Sequence, residues 1–241
     1  MTVRKRALLI TLVTITSLIC CTEPLLAQRQ KVKNIPKYDK QKIHFGFLLG
    51  LNTSSFRVER IPAFNQMDSL YVADADPQSG FNLGIIANLR ISENFDLRFV
   101  PDLAFSARNI NYTFYDNGIL VGTTKKEIES TYLQFPLLVK FKSNRINNYR
   151  AYVIAGFKYS VDMVSQAKVE NKDKEFVKLT RQDYGYEIGI GFDFYLERFK
   201  FSPEIKMYNG LNNLLVEDPK IFSSSLESLK SKTFMISFLF E

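Results

Sequence analysis

The sequence predicts an all-β protein whose fold is an eight-stranded antiparallel transmembrane β-barrel. Eight segments alternate between apolar and polar residues, and a period of two is typical of a β-strand with one face in an apolar environment. Each segment is about ten residues long, which is what a tilted strand needs to cross a bilayer. The composition agrees, because Phe (21) and Tyr (12) are abundant and both favour sheet over helix.

The eight strands follow one another along the chain, and each is recognised by an apolar face on alternate residues. In the first strand, Phe45 and Phe47 alternate with His44 and Gly46. Three prolines inside the predicted strands, Pro101, Pro136 and Pro203, cannot donate to a sheet, so each marks a bulge or a local break in pairing. The apolar faces span, in order, Ile43–Leu51, Phe81–Ile91, Phe95–Phe105, Leu133–Phe141, Ala151–Val161, Tyr186–Phe194, Phe199–Met207 and Phe234–Phe240.

The connections between the predicted strands alternate in length. Short turns are predicted at 92–94, 142–148 and 196–198, and long loops at 53–79, 109–131, 165–179 and 210–232. Bacterial outer-membrane barrels have short periplasmic turns and long extracellular loops. An even number of strands places both termini on the periplasmic side.

The polar face of the strands decides between a membrane barrel and a soluble one. A soluble barrel would turn its apolar face inward, and the many glycines on the polar face are a poor choice for a solvated sheet. In a narrow lumen, by contrast, glycine leaves room for neighbouring charged side chains. We therefore predict a lumen of paired charges, formed by Arg90, Asp96, Arg98, Asp102, Arg150, Lys158, Asp162, Glu187, Asp193, Glu204 and Lys206.

The first residues resemble an export signal. Arg4, Lys5 and Arg6 precede an apolar run, and Ala27 offers a cleavage point. The predicted organisation is a signal peptide over 1–27, a periplasmic segment over 28–41 and an outer-membrane barrel over 42–241. Lipidation at Cys20 or Cys21 is the alternative. Cleavage at Ala27 lowers the net charge from +7 to +5, and an exported chain is not expected to meet nucleic acid.

The last strand carries the predicted assembly signal. Phe238 and Phe240 are aromatic residues on the outward face of a closing strand, which is typical of outer-membrane barrels. The expected partners are therefore the barrel-assembly machinery and outer-membrane lipid.

Catalytic chemistry is not predicted. His44 is the only histidine, it lies near the periplasmic rim, and a histidine-cluster metal site is excluded. The lumen carboxylates are interleaved with Arg108, Lys140, Lys200 and the other lumen bases, which favours salt bridges over acid–base catalysis. Eight strands also leave no aqueous channel once side chains fill them. The expectation is no enzyme activity, no cofactor and no small-molecule substrate.

Several motifs taken together resemble the PorT family of outer-membrane barrels of the Bacteroidota. They are Tyr38–Phe47, Gly80–Gly84, Leu97–Pro101, Tyr132–Leu138, Gly189–Asp193, Pro203–Lys206 and Gly210–Asn213. The resemblance implies a non-enzymatic accessory or assembly component of type IX protein secretion, a system that also serves gliding motility. No catalytic residue is implied by it.

The resemblance also implies contacts with other type IX secretion proteins. The expected contact regions are the loops 53–79 and 210–232, or the basic segment 28–41. The alternatives are a general structural or adhesive outer-membrane barrel, and a barrel enzyme acting at the outer leaflet.

Overall fold

The protein forms a closed antiparallel sheet. The computed structural model describes residues 32–60, 70–116, 119–164, 179–216 and 226–241. After a short 3-10 helix at Tyr38–Lys40, the strands are β1 (Ile43–Arg60), β2 (Leu70–Arg90), β3 (Phe95–Phe99), β4 (Asp102–Asp116), β5 (Ile119–Lys142), β6 (Tyr149–Asp162), β7 (Gln182–Tyr195), β8 (Lys200–Gly210) and β9 (Leu226–Phe240).

Pairing of β1 with both β2 and β9 closes the ring. Strands β3 and β4 each pair with β2 on one side and β5 on the other, so together they form one strand of the barrel. The ring therefore has eight strands, and the predicted fold class is confirmed.

The prolines interrupt pairing at two places. Pro101 separates β3 from β4, so the predicted continuous third strand is divided. Pro136 stays within β5 and lies opposite the same break, because the β5 partners skip from Gln134 to Leu137. Pro203 coincides with a gap in the β7–β8 register. The interruptions are thus local breaks around residues that lack an N–H.

Two of the predicted long loops consist mostly of strand. β1 and β2 extend through most of 53–79, and β4 and β5 extend through most of 109–131. These boundaries were therefore wrong, and the strands β4 and β5 leave only residues 117–118 between them. Residues 165–178 of the loop at 165–179 and residues 217–225 of the loop at 210–232 lie outside the described residues, as does the predicted signal peptide over 1–27.

The outer surface and the interior have opposite characters. Outward-facing Phe45, Leu51 and Ile85 are 70%, 62% and 65% exposed, whereas Arg98, Lys140 and Asp193 are fully buried inside. A soluble protein has the reverse arrangement. The apolar band is therefore the surface that contacts lipid.

The strands are longer than the bilayer requires. β1, β2 and β5 contain 18, 21 and 24 residues, against about ten for a crossing. In the extensions the pattern inverts, since Phe56 and Ile110 are buried inside while Arg57 and Lys125 are exposed outside. This inversion marks where the barrel leaves the membrane. Among the described residues, no helix is long and apolar enough to span a bilayer.

Candidate functional site: the charged interior and its two ends

The structure places ten of the eleven predicted lumen charges in the buried interior: Asp96, Arg98, Asp102, Arg150, Lys158, Asp162, Glu187, Asp193, Glu204 and Lys206. The eleventh, Arg90, is only partly buried at the periplasmic rim, where it donates to the backbone carbonyl of Asp39. Arg108, Lys140 and Lys200 are also buried.

One ion cluster surrounds Asp193. Its carboxylate lies 2.8 Å from Lys140 Nζ, 3.2 Å from Arg150 Nε and 3.9 Å from Lys200 Nζ. Ser202 donates a hydrogen bond of 2.7 Å to the same group. Three cations from three different strands therefore converge on one buried carboxylate.

A second cluster lies next to the first. Lys158 and Lys206 approach Glu187 to 3.1 and 3.2 Å, and Lys206 lies 3.5 Å from Glu204. Glu204 also accepts a hydrogen bond of 2.9 Å from Arg98 and one of 2.8 Å from the hydroxyl of Tyr152. Asp96 pairs separately with Lys142 at 2.5 Å. The interior is thus filled by compensated charge.

Cross-strand register explains how the bulky charges fit. Several of the charges are directly opposite a glycine on the neighbouring strand, and the pairs are Gly84–Asp102, Gly156–Glu187, Gly185–Lys158, Gly189–Lys206 and Gly191–Glu204. A Cβ at position 189 would lie 2.9 Å from Lys206 Cγ. At position 191 the space is taken by the ring of Tyr152 instead, 2.4 Å from such a Cβ.

The N-terminal segment enters the periplasmic mouth of the barrel. Tyr38 is buried, stacks on His44 with ring centroids 3.9 Å apart, and meets Tyr195 edge-on at 5.7 Å. Its hydroxyl donates to Glu241 Oε2 at 2.6 Å and accepts from Lys200 Nζ at 2.7 Å. Burial and the Glu241 carboxylate raise the pKa of Tyr38 well above its usual value, so the phenol stays protonated.

Glu241 shares this buried position. Burial raises the pKa of its carboxyl, but the positive charges of Lys200 and Arg98 outweigh burial, and the pKa falls to about 2. The carboxylate lies 2.9 Å from Lys200 and 3.6 Å from Arg98. It therefore connects the inserted tyrosine to the charge network of the lumen.

Asp39 holds the same segment from its other side. Its carboxylate pairs with Arg150 at 2.7 Å and with Arg145 at 3.2 Å, and Arg145 also donates to the Asn34 carbonyl at 2.5 Å. Lys37 and Lys40 of the same segment are exposed. Docking depends on the one acidic and the one aromatic side chain.

An apolar cluster fills the opposite, extracellular end. Its members point inward from the strand extensions or from segments between strands, and are Phe56, Ile110, Tyr112, Leu179, Leu214, Leu215 and Leu229. Backbone bonds tie the segments down, with Thr180 N donating to Leu214 O and Leu214 N to Leu229 O, both at 2.8 Å. An apolar cluster therefore lies above the ion-paired lumen.

We expect the purified, reconstituted protein to show no stepwise conductance in planar bilayers, because the lumen is ion-paired and both ends are packed. Single-channel recording at 1 M KCl measures this, with a porin of known conductance as the positive control. Discrete steps that require this protein would contradict a closed interior.

Sequence reasoning missed several residues of the interior. Tyr38, Lys142, Asp183 and Glu241 were not among the predicted lumen residues. Alternate residues of β7 and β5 face the lumen, and Asp183 and Lys142 are the next such positions at the ends of these strands. Extending the predicted alternation by two residues would have found both. Tyr38 precedes the first strand and has no such signal.

The structure offers no catalytic arrangement around His44. Its Nε2 lies 2.8 Å from the Tyr38 carbonyl oxygen and its ring is covered by Tyr38. Within the described residues, no group of three or more His, Cys, Asp or Glu side chains is suited to a metal ion.

The predicted assembly residues lie at the closing seam. Phe238 pairs with Leu49 of β1 and Pro203 of β8, and Phe240 stacks on Phe47 at 4.9 Å. Both therefore face outward where the first and last strands meet.

Residues 26–216 match the model of the outer membrane protein beta-barrel domain. The chain belongs to this family. It is therefore a multi-pass β-barrel of the cell outer membrane, in contact with the lipid of that membrane. No curated protein matches the chain.

Solved structures of outer-membrane proteins are similar to this family member at low identity. OprG from Pseudomonas aeruginosa is 13% identical, with 81% of this chain and 93% of OprG covered and a TM-score of 0.40. Neisserial surface protein A is 10% identical, with 83% and 98% covered and a TM-score of 0.42. Ail of Yersinia pestis is 12% identical, with 83% and 99% covered and a TM-score of 0.39.

Proposed function

We propose that this barrel is a non-enzymatic accessory or assembly component of type IX protein secretion, acting by contact with other proteins. The charged interior supports the non-enzymatic part of this proposal. The buried carboxylates of Asp193, Glu187 and Glu204 each pair with cations at 2.8–3.2 Å. Carboxylates that are buried and ion-paired in this way hold the interior together rather than face a substrate. The contacts with other proteins must then be made by the outer surfaces of the barrel.

The strand extensions are the surface best placed for such contacts. β1, β2, β4, β5 and β9 project beyond the apolar band, whereas β7 begins at Gln182 and β8 ends at Gly210. The outer face of the projection carries charged residues such as Arg57, Asp76 and Lys125, as a surface in water does. The projection includes described parts of the regions 53–79 and 210–232, the two loops that were expected to contact other secretion proteins.

The N-terminal segment is a weaker candidate for a partner site. Tyr38 and Asp39 are already engaged by the barrel itself, so a partner would have to displace them or bind only the exposed lysines. We therefore assign the secretion contacts to the projection.

Deletion of the gene tests the secretion role. We expect cargo with C-terminal type IX signals to accumulate in the periplasm and to fall at least tenfold in the medium, with recovery from a plasmid copy. Quantitative immunoblotting of both fractions measures this. Complementation with a plasmid copy that carries Lys125→Glu tests whether the outer face of the projection is needed for secretion.

The second candidate is a general structural or adhesive outer-membrane barrel. It is favoured by the matched family model, whose description names an outer-membrane barrel and no secretion role. Normal cargo export in the deletion strain, together with increased sensitivity to detergent, would support this candidate and contradict the secretion role.

A further inference from the structure

A groove of about 900 Å³ lies on the outside of the barrel, where β1, β8 and β9 leave the apolar band. Small residues, among them Thr53, Ser55 and Gly210, line it. Its other walls include both apolar and basic side chains. The groove therefore differs from the apolar band on its membrane side and from the charged projection on its extracellular side.

Strand register arranges these walls in rows. Phe234 pairs with Met207 on β8 and with Thr53 on β1, and Phe234 and Met207 make this the apolar row, on the membrane side. One step further from the membrane, Lys232 pairs with Asn209 and with Ser55. Directly paired side chains lie about 5 Å apart at Cβ, so apolar and basic groups meet within one pleat.

Three cations converge at the outer side of the groove. Lys230 pairs with Arg57 in the next row, and both share Glu59, at 3.4 and 3.5 Å. Lys232 is exposed and forms no ion pair with any described residue. One carboxylate against three cations leaves an excess of two positive charges at the membrane boundary.

Asn209 adds an unused donor to this row. It lies between Lys232 on β9 and Tyr186 on β7, and its Nδ2 has no hydrogen-bond acceptor among the described residues. An amide without a partner beside lipid is costly. A ligand oxygen in the groove would satisfy it after a small rotation of the side chain.

We propose that this groove binds the phosphate-bearing headgroup of an outer-leaflet lipid. The phosphate contacts Lys232, Lys230 and Arg57, and an acyl chain lies along Phe234 and Met207. Basic residues at a membrane surface attract anionic lipid, and the apolar row opens directly into the band that contacts acyl chains. A soluble anion would gain nothing from that apolar row, which is why the occupant is assigned as a lipid.

Native mass spectrometry of the full mature chain in detergent micelles tests the site. The probes are monophosphoryl lipid A and the same lipid after removal of its phosphate. We expect the phosphorylated lipid to bind at least tenfold more tightly to the wild type. The double variant Lys230→Ser/Lys232→Ser is expected to lose most of that difference.

The matched control is Lys42→Ser/Arg198→Ser, which removes two positive charges from the periplasmic end, and it should bind like the wild type. Heat-dependent gel mobility confirms that each variant is folded. Equal binding of the two lipids, or unchanged binding by the Lys230/Lys232 variant, would overturn the proposal. Competition by millimolar inorganic phosphate alone would show a simple anion site and would overturn it as well. These outcomes do not depend on the secretion assay.

Discussion

Substitution Asp193→Ala is expected to destabilise the barrel by about 3–5 kcal/mol, because removal of the carboxylate leaves the buried Lys140 without compensation. Lys140, Arg150 and Lys200 all lie within 4 Å of this one carboxylate. Arg150 and Lys200 also pair with Asp39 and Glu241, whereas Lys140 has no other carboxylate within 4 Å among the described residues. Equilibrium unfolding in guanidinium, with the protein in lipid vesicles, measures the change in the free energy of unfolding.

The matched control is Asp76→Ala on the outer face of the projection. Asp76 lies 3.6 Å from Lys125, and the two side chains are 42% and 53% exposed. An ion pair that is exposed to this degree contributes at most about 1 kcal/mol. If Asp193→Ala were no more destabilising than Asp76→Ala, the interior would not depend on charge compensation.

A second variant separates charge from packing. In Asp193→Ala/Lys140→Met, the closest of the three cations is removed together with the carboxylate. We expect this variant to regain part of the stability lost in Asp193→Ala, since an apolar pair is often tolerated where a buried ion pair stood.

The barrel was predictable because membrane and lumen impose opposite demands on successive residues. Phe45 and Phe47 must face lipid while His44 and Gly46 face inward, and every crossing repeats this rule. Eight such segments determine the strand count. The lumen charges follow from the same alternation, which is why Arg98 and Glu204 were predicted to face the lumen without knowledge of their pairing.

The strand extensions were misjudged because the rule changes at the membrane surface. In β1 the apolar positions shift from Leu51, facing lipid, to Phe56 and Val58, which belong to or pack against the inner cluster. Outside the bilayer the outer face meets water, so apolar residues turn inward as in a soluble sheet. A search that requires the same face of a strand to stay apolar along its whole length interprets this inversion as the end of the strand.

The periodicity of the sequence does not predict that the N-terminal segment docks against residues far along the chain. Contact between Tyr38 and Glu241 joins residues 203 positions apart, and nothing in the local sequence around Tyr38 indicates a buried ring. Whether Pro101 and Pro203 mark bulges or breaks in pairing likewise depends on where the neighbouring strands lie. The sequence of a single strand does not contain that information.

Tyr38 gives the prediction that tests this docking. Tyr38→Ala should destabilise the barrel by about 3–5 kcal/mol, because it removes a buried aromatic ring and leaves a cavity at the mouth. Tyr38→Phe retains the ring on His44 and loses only the hydroxyl contacts, so we expect a smaller loss of about 1–3 kcal/mol. The Lys200–Glu241 pair at 2.9 Å remains in both variants and keeps the carboxylate compensated.

The exposed neighbour Lys37 supplies the control, since Lys37→Ala should change the free energy of unfolding by less than about 0.5 kcal/mol. Limited trypsin digestion gives an independent readout. Cleavage after Lys37 and Lys40 should be slow in the wild type and in Tyr38→Phe, because Tyr38 and Asp39 hold the backbone against the barrel, and at least tenfold faster in Tyr38→Ala. Equal cleavage rates in all three proteins would mean that the segment is not held in the mouth, and the closed periplasmic end would then have to be explained by the lumen charges alone.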